Sequence, residues 1–98
     1  MPKPRITRSS GNAFRDLGFA PEEAEHLRLR SLLMIQVRKV IEAQGLTQKQ
    51  AAALFGVTQP RVSDLVRGKI ELFSIDTLVD MLAHAGAHVE LVVDGIPA

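Results

Sequence analysis

The chain has 98 residues, enough for one domain with a single modest core. Its apolar fraction of 46% is ordinary for a globular protein, and no run of 18 or more apolar residues marks a membrane helix. The absence of cysteine excludes a disulfide framework, a thiolate nucleophile and a cysteine-based zinc finger, and a net charge of +1 says little alone.

Charge is segregated along the chain. Residues 1–19 carry +3, residues 20–45 balance, residues 46–69 carry +3, and residues 70–98 carry −5 with no Lys or Arg. A duplex-binding domain is polarised this way. The N-terminus lacks the apolar core of a signal peptide, and a cytoplasmic protein is expected.

Residues 1–19 read as a basic, partly flexible arm, and residues 20–98 as the folded domain. Within the arm, Met1–Gly11 is polar, with two prolines and basic side chains. Ala13, Phe14, Leu17 and Phe19 then form an apolar island, which Asn12 could cap as one helical turn ending at Gly18. Phe14, Leu17 and Phe19 could dock on their own domain, bind a partner protein, or belong to a DNA-contacting arm.

Pro21–Gln44 reads as a long helix. Pro21 opens it, Glu22, Glu23 and Glu25 suit its positive end, and Gly45 ends it. Leu27, Leu33, Met34, Val37, Val40 and Ile41 form the core stripe, while Leu29, Leu32 and Ile35 widen it beyond what a small domain covers. The N-terminal island, a second subunit or another protein could cover the excess. Arg30, Arg38 and Lys39 read as a solvated face.

Thr47–Lys69, TQKQAAALFGVTQPRVSDLVRGK, organises the chain. Thr47 and Gln50 make a capping box for a helix over Gln48–Phe55. Thr58 caps a second helix from Gln59 to about Arg67, with Pro60 in its first turn and Gly68 after its end. The small Ala52 allows a close helix crossing, Gly56 turns the chain four residues later, and Val57 plugs the turn. Val62 and Leu65, at +10 and +13 from Ala52, return to the first helix. This spacing is the helix-turn-helix pattern.

A helical projection puts Val62, Leu65 and Val66 inside and centres the outer face on Pro60, Asp64 and Arg67, flanked by Gln59, Arg61 and Ser63. Gln59 could pair with adenine, Arg61 with guanine or a phosphate, Pro60 with a thymine methyl, and Asp64 with cytosine N4. Arg67 and Lys69 suit phosphates, and Gln48 could bind a phosphate or brace Gln59. Thr58 and Ser63 complete the expected DNA-binding set.

Ser74 caps a further helix from Ile75 to about Ala85, with Leu78, Met81, Leu82 and Ala85 facing the core, and Gly86 ends it. His88–Val93 is rich in β-formers and too short for another helix. A lone strand needs a partner for its backbone, so Val89, Leu91, Val92 and Val93 are expected to pair across a two-fold axis with a second copy; a strand of a partner protein is the alternative. A dimer would place two reading helices about 34 Å apart, so an inverted-repeat operator and repression are expected.

The Thr47–Gln48, Ala52, Gly56–Val57, Thr58–Gln59, Val62 and Leu65 set resembles the helix-turn-helix of the phage-repressor and Cro class, the XRE-like proteins. With SSGNAFRDLGF at Ser9–Phe19 and FSIDTLVDMLAHAGAHVELVV at Phe73–Val93, nearly the whole chain resembles the small XRE antitoxins of HigA-like toxin–antitoxin pairs. The resemblance implies a mainly α, lambda-repressor-like bundle of four to five helices with a short C-terminal strand. It also implies a homodimeric repressor that binds double-stranded DNA and neutralises a RelE- or HigB-like RNase toxin. Similar proteins also stand alone as regulators.

No enzymatic chemistry is legible. His84 and His88 are four apart, but Gly86 interrupts the helix and no third ligand is near. No phosphate loop, Ser–His–Asp set or cleft-like carboxylate pair is present. Neither metal nor cofactor is expected.

Overall fold

A computed structural model describes residues 13–95. Five α-helices follow in order: α1 (Ala13–Asp16), α2 (Pro21–Gln44), α3 (Gln48–Phe55), α4 (Gln59–Val66) and α5 (Ile75–His84), with a 3-10 turn at Ile70–Leu72 before α5. The long helix runs from Pro21 to Gln44 as its sequence signals require, with the left-handed Gly45 (φ 60°) at its C-terminus. No side chain caps its start. Instead Glu25 and Arg28 pair one turn in, and the Arg28 hydrogen bond holds the Glu25 carboxyl below its ordinary value of 4.5. That contribution to stability is present above pH 4.5 and is lost as pH falls through the lowered value.

One N-terminal syntax recurs in α3, α4 and α5. Thr47, Thr58 and Ser74 each sit in extended backbone and accept a hydrogen bond from the amide three residues on. Each is preceded by an apolar residue (Leu46, Val57, Phe73), and each has another four residues into the helix (Ala51, Val62, Leu78). These are the positions of a hydrophobic staple, and all six side chains belong to or pack against one core cluster. The caps satisfy amides that helices leave orphaned, and the staples turn each helix entry toward the interior.

The core is built on that geometry. Phe55, Phe73, Leu65, Leu78, Met81, Val37 and Val62 are its largest fully buried side chains. α2 packs along α5, and α3 lies between α4 and α5. No polar or charged residue is buried among the described residues, so apolar burial and helix capping hold the bundle together.

Several expectations are corrected. α4 stops at Val66, with Arg67 as its C-cap and Gly68 (φ 76°) beyond, and α5 stops at His84. Val66 is 38% exposed and does not share the inner face of Val62 and Leu65. Arg30 is half-buried, and its Nη1 donates to the Ile70 carbonyl at 3.4 Å. The C-terminal strand is not formed: residues 87–95 carry no helix or strand, and no strand is found among the described residues. Strand hydrogen bonds need a second extended segment, and the described residues offer none there. Val89 nevertheless packs against the core, while Leu91, Val92 and Val93 are 82%, 81% and 74% exposed.

α1 packs on α2, but of the apolar island Ala13, Leu17 and Phe19 stay exposed. Phe14 is half-buried and meets Phe19 edge-on, with ring centroids 6.2 Å apart. Leu17 remains 75% exposed. The proposed Asn12 cap and the basic arm over residues 1–11 lie outside the described residues.

Candidate nucleic-acid interface

The turn between α3 and α4 is made by Gly56 in the left-handed region (φ 67°), whose amide donates to the Ala52 carbonyl. The next amide, of Val57, donates to the same carbonyl at 3.0 Å. Ala52 is buried at the crossing, as its size allows. The start of α3 is fixed reciprocally. Gln50 N donates to Thr47 Oγ1 at 3.1 Å, and Thr47 N to Gln50 Oε1 at 2.9 Å. This leaves Gln48 and Lys49 exposed at the N-terminal end of α3.

α4 buries Val62 and Leu65 completely and turns its first residues outward. Thr58 Oγ1 accepts from Arg61 N at 3.4 Å, a long bond without a reciprocal partner. Gln59 and Pro60 are exposed on the first turn and Arg67 beyond the last, while Ser63 and Asp64 are half-buried. Gln48, Thr58, Gln59, Pro60 and Arg67 are thus open side chains on the two helices. No hydrogen bond joins Gln48 to Gln59 in this structure.

Three charged residues of the expected contact set, Asp64, Lys69 and Arg61, are engaged within the chain. The Asp64 carboxylate lies 3.7 Å from Lys69 Nζ, so the acidic group on this face is partly neutralised by its own neighbour. Arg61 points away from the open face: its Nη1 donates to the Leu72 carbonyl at 2.9 Å, and its guanidinium carbon sits 4.6 Å over the centre of the Phe73 ring.

His84 is the residue that sequence reasoning missed. From the last turn of α5 its Nδ1–H donates to the Leu54 carbonyl at 2.9 Å, satisfying one of the orphaned carbonyls at the end of α3. The tautomer follows from the acceptor. The same ring covers Gly56 so closely that a Cβ there would lie 2.8 Å from the ring. A thirty-residue separation gave no sequence signal for this contact. Among the described residues no cluster of three potential metal ligands exists, and no helix is long and apolar enough to cross a membrane.

The model of a helix-turn-helix domain family matches residues 13–94, most of the chain. A solved structure named "Putative XRE Family Transcriptional Regulator" is 35% identical, with a TM-score of 0.70, covering 76% of this chain and 84% of that one. The chain belongs to the XRE-type helix-turn-helix family. No curated protein matches it. Within this family assignment, Gln59–Val66 occupies the second-helix position of the helix-turn-helix.

Proposed function

We propose that the chain is a DNA-binding transcriptional regulator, a binding protein rather than an enzyme, with α4 as its reading helix. The observation that carries this reading is the two-faced α4. Val62 and Leu65 are buried on one side, and Gln59, Pro60 and the adjoining Arg67 are open on the other. An exposed amide at the N-terminal turn of a reading helix suits the adenine edge, and a free guanidinium at its far end suits a phosphate. The relative's name, a transcriptional regulator, supports the same reading.

The finer reading is a homodimeric repressor acting on an inverted repeat. It is supported by Leu91, Val92 and Val93, an apolar run left open to solvent at the end of a segment whose Val89 is anchored on the core. The resemblance to HigA-like antitoxins adds a second role, neutralisation of an RNase toxin. Exposed Leu17 and Phe19 beside α2 are the surface for it. A stand-alone regulator is the outcome if no such partner is bound.

The test is fluorescence anisotropy of the purified protein on DNA from upstream of its own gene, beside a scrambled duplex, at several salt concentrations. Preference for the upstream DNA is expected, and Gln59→Ala should remove about 1–3 kcal/mol of it. Equal affinity for both duplexes would refute sequence reading by this chain. Deleting residues 1–20 should abolish neutralisation of a co-expressed toxin; retained neutralisation would overturn the role given to that surface.

A further inference from the structure

The connection from α4 to α5 is tied along α4 at two points. Asp64 meets Lys69, and Arg61 reaches across to Leu72 and Phe73. The Arg61 contact uses both properties of a guanidinium at once: its face lies over a ring, and an N–H donates to a carbonyl. Phe73 is 1% exposed and belongs to the core cluster, so this tie is anchored in the interior and not in a loose loop. Lys69, a cation beside the proposed groove face, carries the first of these ties, and Arg67 lies just before it, its amide bonded to the Ser63 carbonyl at 3.0 Å.

We infer that Arg61 is a positioning residue and not a base or phosphate contact: it holds the Gly68–Phe73 connection against α4, so that Lys69 stands in fixed register with Gln59. The inference rests on the DNA-binding reading above and names how its interface is kept rigid. A base-reading arginine would have to break the Leu72 bond and leave the Phe73 face, losing a hydrogen bond and a ring contact before gaining a guanine. Outward-facing Gln59 and Pro60 need no such exchange. A lysine carries the charge but neither the plane nor the fork, so charge alone does not make the tie.

The test compares Arg61→Met and Arg61→Lys. Both should weaken cognate DNA binding by about the same factor, on the order of tenfold. Both should leave the dependence of log affinity on log salt within half a unit of wild type and relax preference at no single operator base. Amide exchange should accelerate in both at Leu72 and Phe73, whose N–H groups bond within the turn at 3.0 and 3.2 Å. A slope that falls by about 0.9 in Arg61→Met and recovers in Arg61→Lys would overturn the inference in favour of a phosphate contact. Loss of preference at one guanine, with affinity for random DNA unchanged, would overturn it in favour of base reading. The exchange measurement needs no DNA, so it decides the tie even if the wild-type chain proves not to read sequence. Unchanged exchange at Leu72 and Phe73 in both variants would refute it.

Discussion

Gly56 and Gly45 have almost the same backbone, φ 67° and 60°, yet their surroundings differ in a way that isolates one contact. A Cβ at Gly45 would meet nothing within 4 Å, whereas at Gly56 it would meet three atoms of the His84 ring at 2.8–3.0 Å. Gly45→Ala should therefore cost only the left-handed penalty, about 1–2 kcal/mol. Gly56→Ala should cost that plus the displaced His84–Leu54 hydrogen bond, about 1 kcal/mol more. In a His84→Ala background the Gly56→Ala cost should fall back to the Gly45 value, and thermal melts of the four variants check this. Equal costs at the two glycines would mean that the ring moves aside freely. That Gly56 was needed is legible in its position four residues after Ala52, but the ring over it is not. A side chain thirty residues away leaves no periodic trace, and Arg61 shows the same limit. Its helical projection put it on the flank of the open face, where a long side chain can turn either way, and only the folded position of Phe73 decides the direction.

Helix starts were legible because each rests on a local rule that tertiary context reinforced. A threonine or serine cap, an apolar residue before it and another four residues into the helix are all within one short window. Both ends of α2 and of α3 fall where Pro21, Thr47 and the glycines put them. The C-terminal ends of α4 and α5 were each read one residue too long, since the last turn tightens before the glycine. The caps themselves should differ in strength. Thr47 closes a full capping box, while Thr58 makes one long bond without reciprocation. Thr47→Ala should cost about 1 kcal/mol and Thr58→Ala about half of that, by chemical denaturation. The order should reverse for DNA affinity, because Thr58 opens the reading helix and Thr47 does not. If Thr47→Ala lowers affinity more than Thr58→Ala at equal folded fraction, the groove-facing element is α3 rather than α4.

At the scale of the molecule, positive charge collects over residues 46–69, +3, and negative charge over residues 70–98, −5. The C-terminal residues were read from sequence as a strand because β-formers signal a wish for backbone partners, and periodicity cannot say whether the partner lies in the same chain. Among the described residues no such partner is found, and Leu91, Val92 and Val93 are left open. An apolar run with unpaired backbone at the end of an anchored segment is suited to pair with itself, giving an isologous contact whose two copies relate the reading helices by a two-fold axis. Val92→Asp places two like charges near the axis of such a pair. It should shift the protein to monomer in sedimentation velocity and leave the monomer's own core unchanged, since Val92 touches none of it. Each reading helix would then bind its half-site alone. Affinity for the full inverted repeat should fall toward that for one half-site, while the preference for the correct half-site over a scrambled one stays as in wild type. If Val92→Asp remains a dimer, the two-fold axis lies elsewhere, and the exposed Ile35 face of α2 becomes the surface to charge next.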